Sequence, residues 1–98
     1  MEDYKKILLD AGLSQIEVAA YLCILKDGPL GAGKISKLTH NYRANIYQAV
    51  ERLKSKGFIS ETNGKKSKIY EALSPNHLLD ELDKKRNALA EIMPKLTQ

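Results

Sequence analysis

Two short amphipathic segments meet at a tight turn, two β-rich segments flank Asn63-Gly64, and the last segment carries leucines at heptad spacing. These three observations predict an α+β, mainly helical architecture: a winged helix-turn-helix with a long C-terminal dimerisation helix. At 98 residues the chain has the length of one domain. Residues 1–73 are expected to form the DNA-binding body, and residues 74–98 the pairing helix.

The elements follow in order. Tyr4 to Ala11 reads as a short helix closed by Gly12. Ser14 then caps a second helix, with Glu17 three residues on completing a capping box. Val18, Leu22 and Leu25 supply its expected buried stripe, and Lys26-Asp27-Gly28-Pro29 stops it. A third helix is expected from Gly33 to Thr39, with Ile35 and Leu38 facing inward. His40 and Asn41 make the tight turn. A fourth helix runs from Tyr42 to Lys56, with Ile46, Val50 and Leu53 as its core face and Gly57 closing it. The period then changes: Phe58 to Thr62 and Lys68 to Ala72 read as strands, joined by a hairpin at Asn63-Gly64. Ser74-Pro75 opens the last helix as N-cap and first helical position. Pro94 lacks a backbone donor and is expected to kink or end it.

The charge distribution narrows the function. The net charge is +4 with a pI near 9.2. Nine bases lie between positions 34 and 68 (Lys34, Lys37, Arg43, Arg52, Lys54, Lys56, Lys65, Lys66, Lys68) against two acids, Glu51 and Glu61. That segment carries +7 and the rest of the chain −3, so the positive charge is concentrated where the turn and hairpin fall. Such a concentration points to an anionic partner. Glu2 and Asp3 stand where an export signal would be basic, no apolar run is long enough to span a membrane, and Cys23 is the single cysteine. A reducing cytoplasm is the expected location, with no membrane partner.

In the expected architecture the fourth helix enters the major groove. Projected at about 100° per residue from Ile46, Val50 and Leu53 stay on the core side. Asn41, Ala44, Asn45, Gln48 and Arg52 fall on the opposite side, with Arg43 at the flank of the helix start. Asn and Gln bond adenine edges and Arg bonds guanine, so Arg43, Ala44, Asn45 and Gln48 are the expected base-reading set. Lys65, Lys66 and Lys68 cluster at the hairpin tip, where they suit phosphate contact. Lys34 and Arg52 join them in that expected role.

The last helix carries Leu79, Leu82, Arg86, Leu89, Met93 and Leu96 at spacings of 3, 4, 3, 4 and 3, a heptad seam widened by Leu78 and Ile92. A body this small is not expected to cover a helix of that length, so the seam is read as a homodimer interface.

Other chemistries are weaker matches. Gly28 to Lys34 approximates a phosphate-binding loop, but Ile35 stands where Ser or Thr holds magnesium, and helix precedes it. Gly31-Ala32-Gly33 lacks the third glycine of a dinucleotide fingerprint. His40, His77 and Cys23 show no metal spacing, and Cys23 reads as packing. No nucleophile, base and orienting group assemble, so neither an enzyme nor a cofactor is expected.

Leu9-Asp10-Ala11-Gly12-Leu13-Ser14, Glu17, Tyr21-Leu22, Gly28-Pro29-Leu30, Ile35, Arg43, Ile46-Tyr47 and Leu53-Lys54-Ser55-Lys56-Gly57-Phe58-Ile59, followed by Tyr70, Ala72 and Pro75, resemble the TrmB-type archaeal transcriptional regulators. The resemblance runs over residues 5 to 96. It implies a winged helix-turn-helix that binds operator DNA as a dimer, with Arg43, Ala44 and Asn45 at the start of the reading helix and Tyr47 in a mainly structural position. Larger relatives carry a C-terminal effector domain, often sugar-sensing; none is apparent here. Gly31 replaces a frequent capping Thr. Asn41-Tyr42 replaces what is commonly a hydrophobic residue followed by Pro or Ser, so entry into the reading helix is expected to differ.

Overall fold

The structure, a computed structural model, describes residues 2–98. These form α1 (Glu2–Asp10), α2 (Gln15–Asp27), α3 (Ala32–Thr39), α4 (Arg43–Ser55), β1 (Ile59–Asn63), β2 (Lys68–Ala72) and α5 (Pro75–Leu96). The body is a three-helix core with a two-stranded wing, from which α5 projects, giving extents of 51 × 30 × 24 Å.

Ser14 starts α2 as its sequence predicts. Its hydroxyl accepts from the Glu17 N–H at 3.2 Å, and the Ser14 N–H donates to Glu17 Oε1 at 3.2 Å. The capping carboxylate has a second role that its sequence position hides. Glu17 is 1% exposed, the one buried charged residue among those described. Arg52 Nε of α4 donates to its Oε2, and Lys56 Nζ donates to its Oε1 at 2.6 Å. Lys56 also donates to the Gly12 carbonyl at 3.2 Å. Burial alone would raise the Glu17 pKa. The hydrogen bonds from Lys56, Arg52 and Ser14, with the Lys56 charge, outweigh it and hold the carboxyl below its ordinary range.

This clamp orients α2. Glu17, Val18, Ala20, Tyr21 and Ile24 are its buried residues. The expected stripe is therefore corrected: Val18 is buried, Leu22 half-buried and Leu25 50% exposed. A carboxylate at the centre of the inward face disguised that face, while Leu22 and Leu25 line an outer apolar groove with Tyr4 and Ile7 of α1. Leu38 of α3, expected inward, is 44% exposed at the rim beside Cys23 of α2. Ile35 alone carries α3 into the core with Ala32. Burial pushes the Cys23 thiol pKa up, with the Asp27 charge adding to it, which suits packing rather than reactivity.

On α4, Ile46, Val50 and Leu53 are fully buried as expected, with Ala49 beside them. Gly57 follows the helix at φ 86°, the left-handed region that favours glycine, and turns the chain into β1. Phe58 packs edge-on against Tyr21, ring centroids 5.2 Å apart.

The wing forms as expected, with β2 at the expected bounds and β1 shifted by one residue. Its strands pair antiparallel from Ile59↔Ala72 to Asn63↔Lys68. The loop is therefore Gly64–Ser67, closed by the Gly64 N–H donating to the Ser67 carbonyl at 2.8 Å. A two-residue turn at Asn63-Gly64 would pair Thr62 with Lys65 and carry Tyr70 past the start of β1. The observed register instead sets Tyr70 opposite Glu61, 1% exposed. There Tyr70 exchanges two backbone bonds with Leu30, at 2.8 and 3.0 Å, which tie the wing to the entry of α3.

Ser74 caps α5 by accepting from the His77 N–H at 3.2 Å. Leu78 packs against the core and Glu81 is half-buried against Gly57; beyond Glu81 every residue is exposed. The helix runs through Pro94 to Leu96, so of the two expected effects of that proline the helix end is not the one observed. So near the C-terminus a proline removes a single ladder bond, and Thr97 Oγ1 donates back to the Met93 carbonyl at 3.2 Å.

Glu17→Gln should lower folding stability by about 1–3 kcal/mol, the scale of hydrogen bonds to a charged group. The folded carboxyl has the lower pKa, so its contribution is complete above the ordinary carboxylate range and is lost as pH falls through the folded value. Melting temperatures of wild type and variant should differ at neutral pH and converge on acidification below about pH 4. A difference that persists unchanged in acid would contradict the clamp.

Candidate nucleic-acid interface

α3, the His40-Asn41 turn and α4 form the helix-turn-helix. His40 adopts the left-handed conformation at φ 57°, the one described non-glycine residue at positive φ. Ser36 Oγ donates to the Asn41 carbonyl, and Asn41 Nδ2 donates to the Thr39 carbonyl at 3.1 Å, which fixes the turn from both sides. The turn delivers Tyr42 as N-cap of α4 without a side-chain cap. The first N–H groups of α4 are thus left open at the positive end of the helix.

With Ile46, Ala49, Val50 and Leu53 buried, Arg43, Ala44, Asn45 and Gln48 all face solvent. Two tyrosines accompany them: Tyr42 is 82% and Tyr47 46% exposed. Tyr47, the mainly structural position by resemblance, lines a cleft of about 650 Å³ between α3, α4 and the wing, together with Gly33, Lys34, Arg43, Glu51 and Lys68. No periodicity argument could find that cleft, because its three walls are far apart in sequence.

Gly33 has a reason visible only in the fold. A Cβ there would collide with the Arg43 guanidinium, so the bare backbone of α3 forms the floor on which Arg43 lies. Gly31 caps α3 without a side-chain bond, so this helix start too keeps its backbone donors open beside Lys34.

The structure divides the basic residues into two groups. Arg52 and Lys56 are turned toward α2 and engaged by Glu17. Arg52, expected on phosphate, is thus placed away from the cleft. Lys54 bridges Glu51 at 3.3 Å and Glu61 at 2.9 Å, and Lys68 lies 3.4 Å from Glu61. The hydrogen bond from Lys54 lowers the Glu61 pKa, against the effect of burial, and Lys68 adds to it. Lys34, Lys37, Arg43, Lys65 and Lys66 have no acidic partner within bridging distance among the described residues. Lys34 and Arg43, in the first turns of α3 and α4, and Lys65 and Lys66 at the wing tip are thus basic groups without a bridging acid near the cleft. Among the described residues no helix is long and apolar enough to cross a membrane, and no group of three His, Cys, Asp or Glu is placed to hold a metal ion.

A family profile described as "Sugar-specific transcriptional regulator TrmB" matches residues 8–76. The chain belongs to the TrmB family. It is thereby a winged-helix, DNA-binding transcriptional regulator. No protein of curated function matches the sequence. Among solved structures, TrmBL2, described as an archaeal chromatin protein with a novel mode of DNA binding, superposes with a TM-score of 0.75 at 22% identity, covering 99% of this chain and 38% of that one. The ST1889 protein of Sulfolobus tokodaii gives 0.67 at 14% identity, with 98% and 97% covered. The transcriptional regulator Tm0710 of Thermotoga maritima gives 0.65 at 19%, with 94% and 68% covered. At these identities the likeness is one of fold. The match to TrmBL2 includes α5, so the long helix is part of the shared architecture.

Gly33→Ala should leave the TrmB-type fold intact or slightly firmer, since Ala is favoured over Gly in a helix by about 1 kcal/mol. It should nevertheless displace Arg43. The expected result is an unchanged or raised melting temperature with a shifted Arg43 side-chain Nε–Hε resonance; a resonance that does not move would place Arg43 off α3.

Proposed function

We propose that this chain is a homodimeric regulator that recognises particular sequences in double-stranded DNA, in the cytoplasm of an archaeal cell. The observation that carries the reading is a juxtaposition. Arg43 of α4 lines a cleft with Lys34 of α3 and Lys68 of the wing, while Ala44, Asn45 and Gln48 stand exposed on the same helix outside that cleft. A helix face with Arg, Asn and Gln matches the donor and acceptor pattern of the major groove. Lys65 and Lys66 at the wing tip, with Lys34 and Lys68, reach the flanking phosphates, which fix position without reading sequence. Residues 1–73 act as the DNA-binding body and residues 74–98 as the pairing helix, through Leu79, Leu82, Arg86, Leu89, Met93 and Leu96. Arg52 acts indirectly, by holding α4 to α2 through Glu17.

A second reading, a low-specificity architectural DNA-binding protein, draws on the fold likeness to a protein described as archaeal chromatin. The two separate on the reading residues. Selection of bound fragments from random duplex DNA should return a recurring, palindromic motif; fragments without any motif would favour the architectural reading. Asn45→Ala and Gln48→Ala should lose about 1–3 kcal/mol at particular base pairs while non-specific binding survives. A uniform loss over all sequences would make them backbone contacts.

Changing Lys65 and Lys66 together to Ala should weaken binding to every duplex and reduce the slope of log affinity against log salt by about one per lost contact. An unchanged slope would remove the wing tip from the interface. For the pairing helix, Leu82→Lys with Leu89→Lys should convert a dimer to a folded monomer by light scattering and weaken binding to a palindromic site. A wild type that is already monomeric at tens of micromolar would end the dimer reading.

A further inference from the structure

The dimer proposed above leaves open how two α5 helices meet, and the structure carries that question further. Along α5, Leu79 is 60%, Leu82 53%, Leu89 54%, Met93 46% and Leu96 66% exposed, so the whole seam stands free of its own body. Resting on the reading that this seam pairs two copies, we infer that the α5 helices pair antiparallel, with Leu79 of one chain level with Leu96 of its partner chain.

Three observations lead there. The first is the seam itself. Its spacing of 3, 4, 3, 4, 3 reads the same from either end, with its midpoint between Asn87 and Ala88. Turned end for end, the seam matches itself without slippage. Leu79 meets Leu96, Leu82 meets Met93, and Arg86 meets Leu89, each twice, as a two-fold axis requires.

The second is Arg86, the one charge in the seam. Parallel in-register helices would set the two Arg86 guanidinium groups in one layer, where partly desolvated like charges repel. In the antiparallel arrangement the Arg86 stem covers Leu89 of the other chain and its charged head escapes sideways to water.

The third is the body. α5 leaves it at Leu78 and Glu81, which are still packed against the core and Gly57. Parallel helices would bring two bodies together at this same level, with axes about 8–10 Å apart. Antiparallel helices put the bodies at opposite ends, with the two Leu79 positions about 26 Å apart along the rod at 1.5 Å per residue. Separated bodies suit two α4 helices reading half-sites about 34 Å apart.

Disulfide trapping tests this. In a Cys23→Ser background, which removes the native thiol, Leu79→Cys, Leu96→Cys and the double variant are made in the full chain. Their masses are first measured by light scattering under reducing conditions, and they are then oxidised with copper phenanthroline. The inference expects dimeric mass throughout. It also expects the double variant, and a mixture of the two single variants, to be trapped mostly as covalent dimers, with each single variant alone trapped at least several-fold less. Efficient trapping of Leu79→Cys alone would show parallel helices and overturn the inference while leaving the dimer standing. Dimeric mass with no trapping in any sample would place pairing on another surface, and the inference would fail with the α5 interface. Monomeric wild type would overturn both the inference and the dimer it rests on.

Discussion

The body hangs on one buried carboxylate. Glu17 closes the cap of α2 and receives Arg52 from the C-terminal half of α4 and Lys56 from its C-cap. A buried anion without partners would cost several kcal/mol in effective desolvation, which Arg52 and Lys56 offset. α2 and α4 are thereby locked in one rotation about their axes. That rotation turns Ile46, Ala49, Val50 and Leu53 inward and leaves Arg43, Ala44, Asn45 and Gln48 outward. The ion cluster thus reinforces a rotation that the apolar face of α4 already sets, and Arg52 lies one to two turns beyond Gln48 and Asn45 on the same exposed side.

The wing is held by a second constraint of the same kind. Tyr70 sits in the core through its ring and bonds Leu30 through its backbone. Because Leu30 lies just before α3, the wing cannot move independently of the helix-turn-helix. Glu61, shared between Lys54 and Lys68, adds an electrostatic tie from α4 to both strands. The walls of the cleft between α3, α4 and the wing are thus tied to one another by backbone and side-chain contacts.

α5 is the opposite case. Only its first two turns touch the body, through Leu78 and Glu81. Its remaining apolar side chains add nothing to the stability of a single chain. Their burial awaits another surface, and the hydrophobic effect then acts on association rather than on folding.

The sequence by itself determined the elements and their kinds. Local rules sufficed for the Ser14 and Ser74 caps, the periodic core face of α4, the end of α4 at Gly57 and the heptad seam, because each depends on neighbours within about one or two helical turns. The family, too, was legible in the run from Leu9 to Pro75. Tertiary structure decided what depends on distant partners. It made Glu17 the centre of a buried face, so the apolar stripe of α2 shifted to Tyr21 and Ile24 and released Leu25. It chose the four-residue wing loop, because Tyr70 had to reach Leu30. It drew Arg52 to Glu17, set Gly33 beneath Arg43 and brought Tyr47 into the cleft. Each of these is a contact between residues of different elements, and no spacing along the chain encodes it.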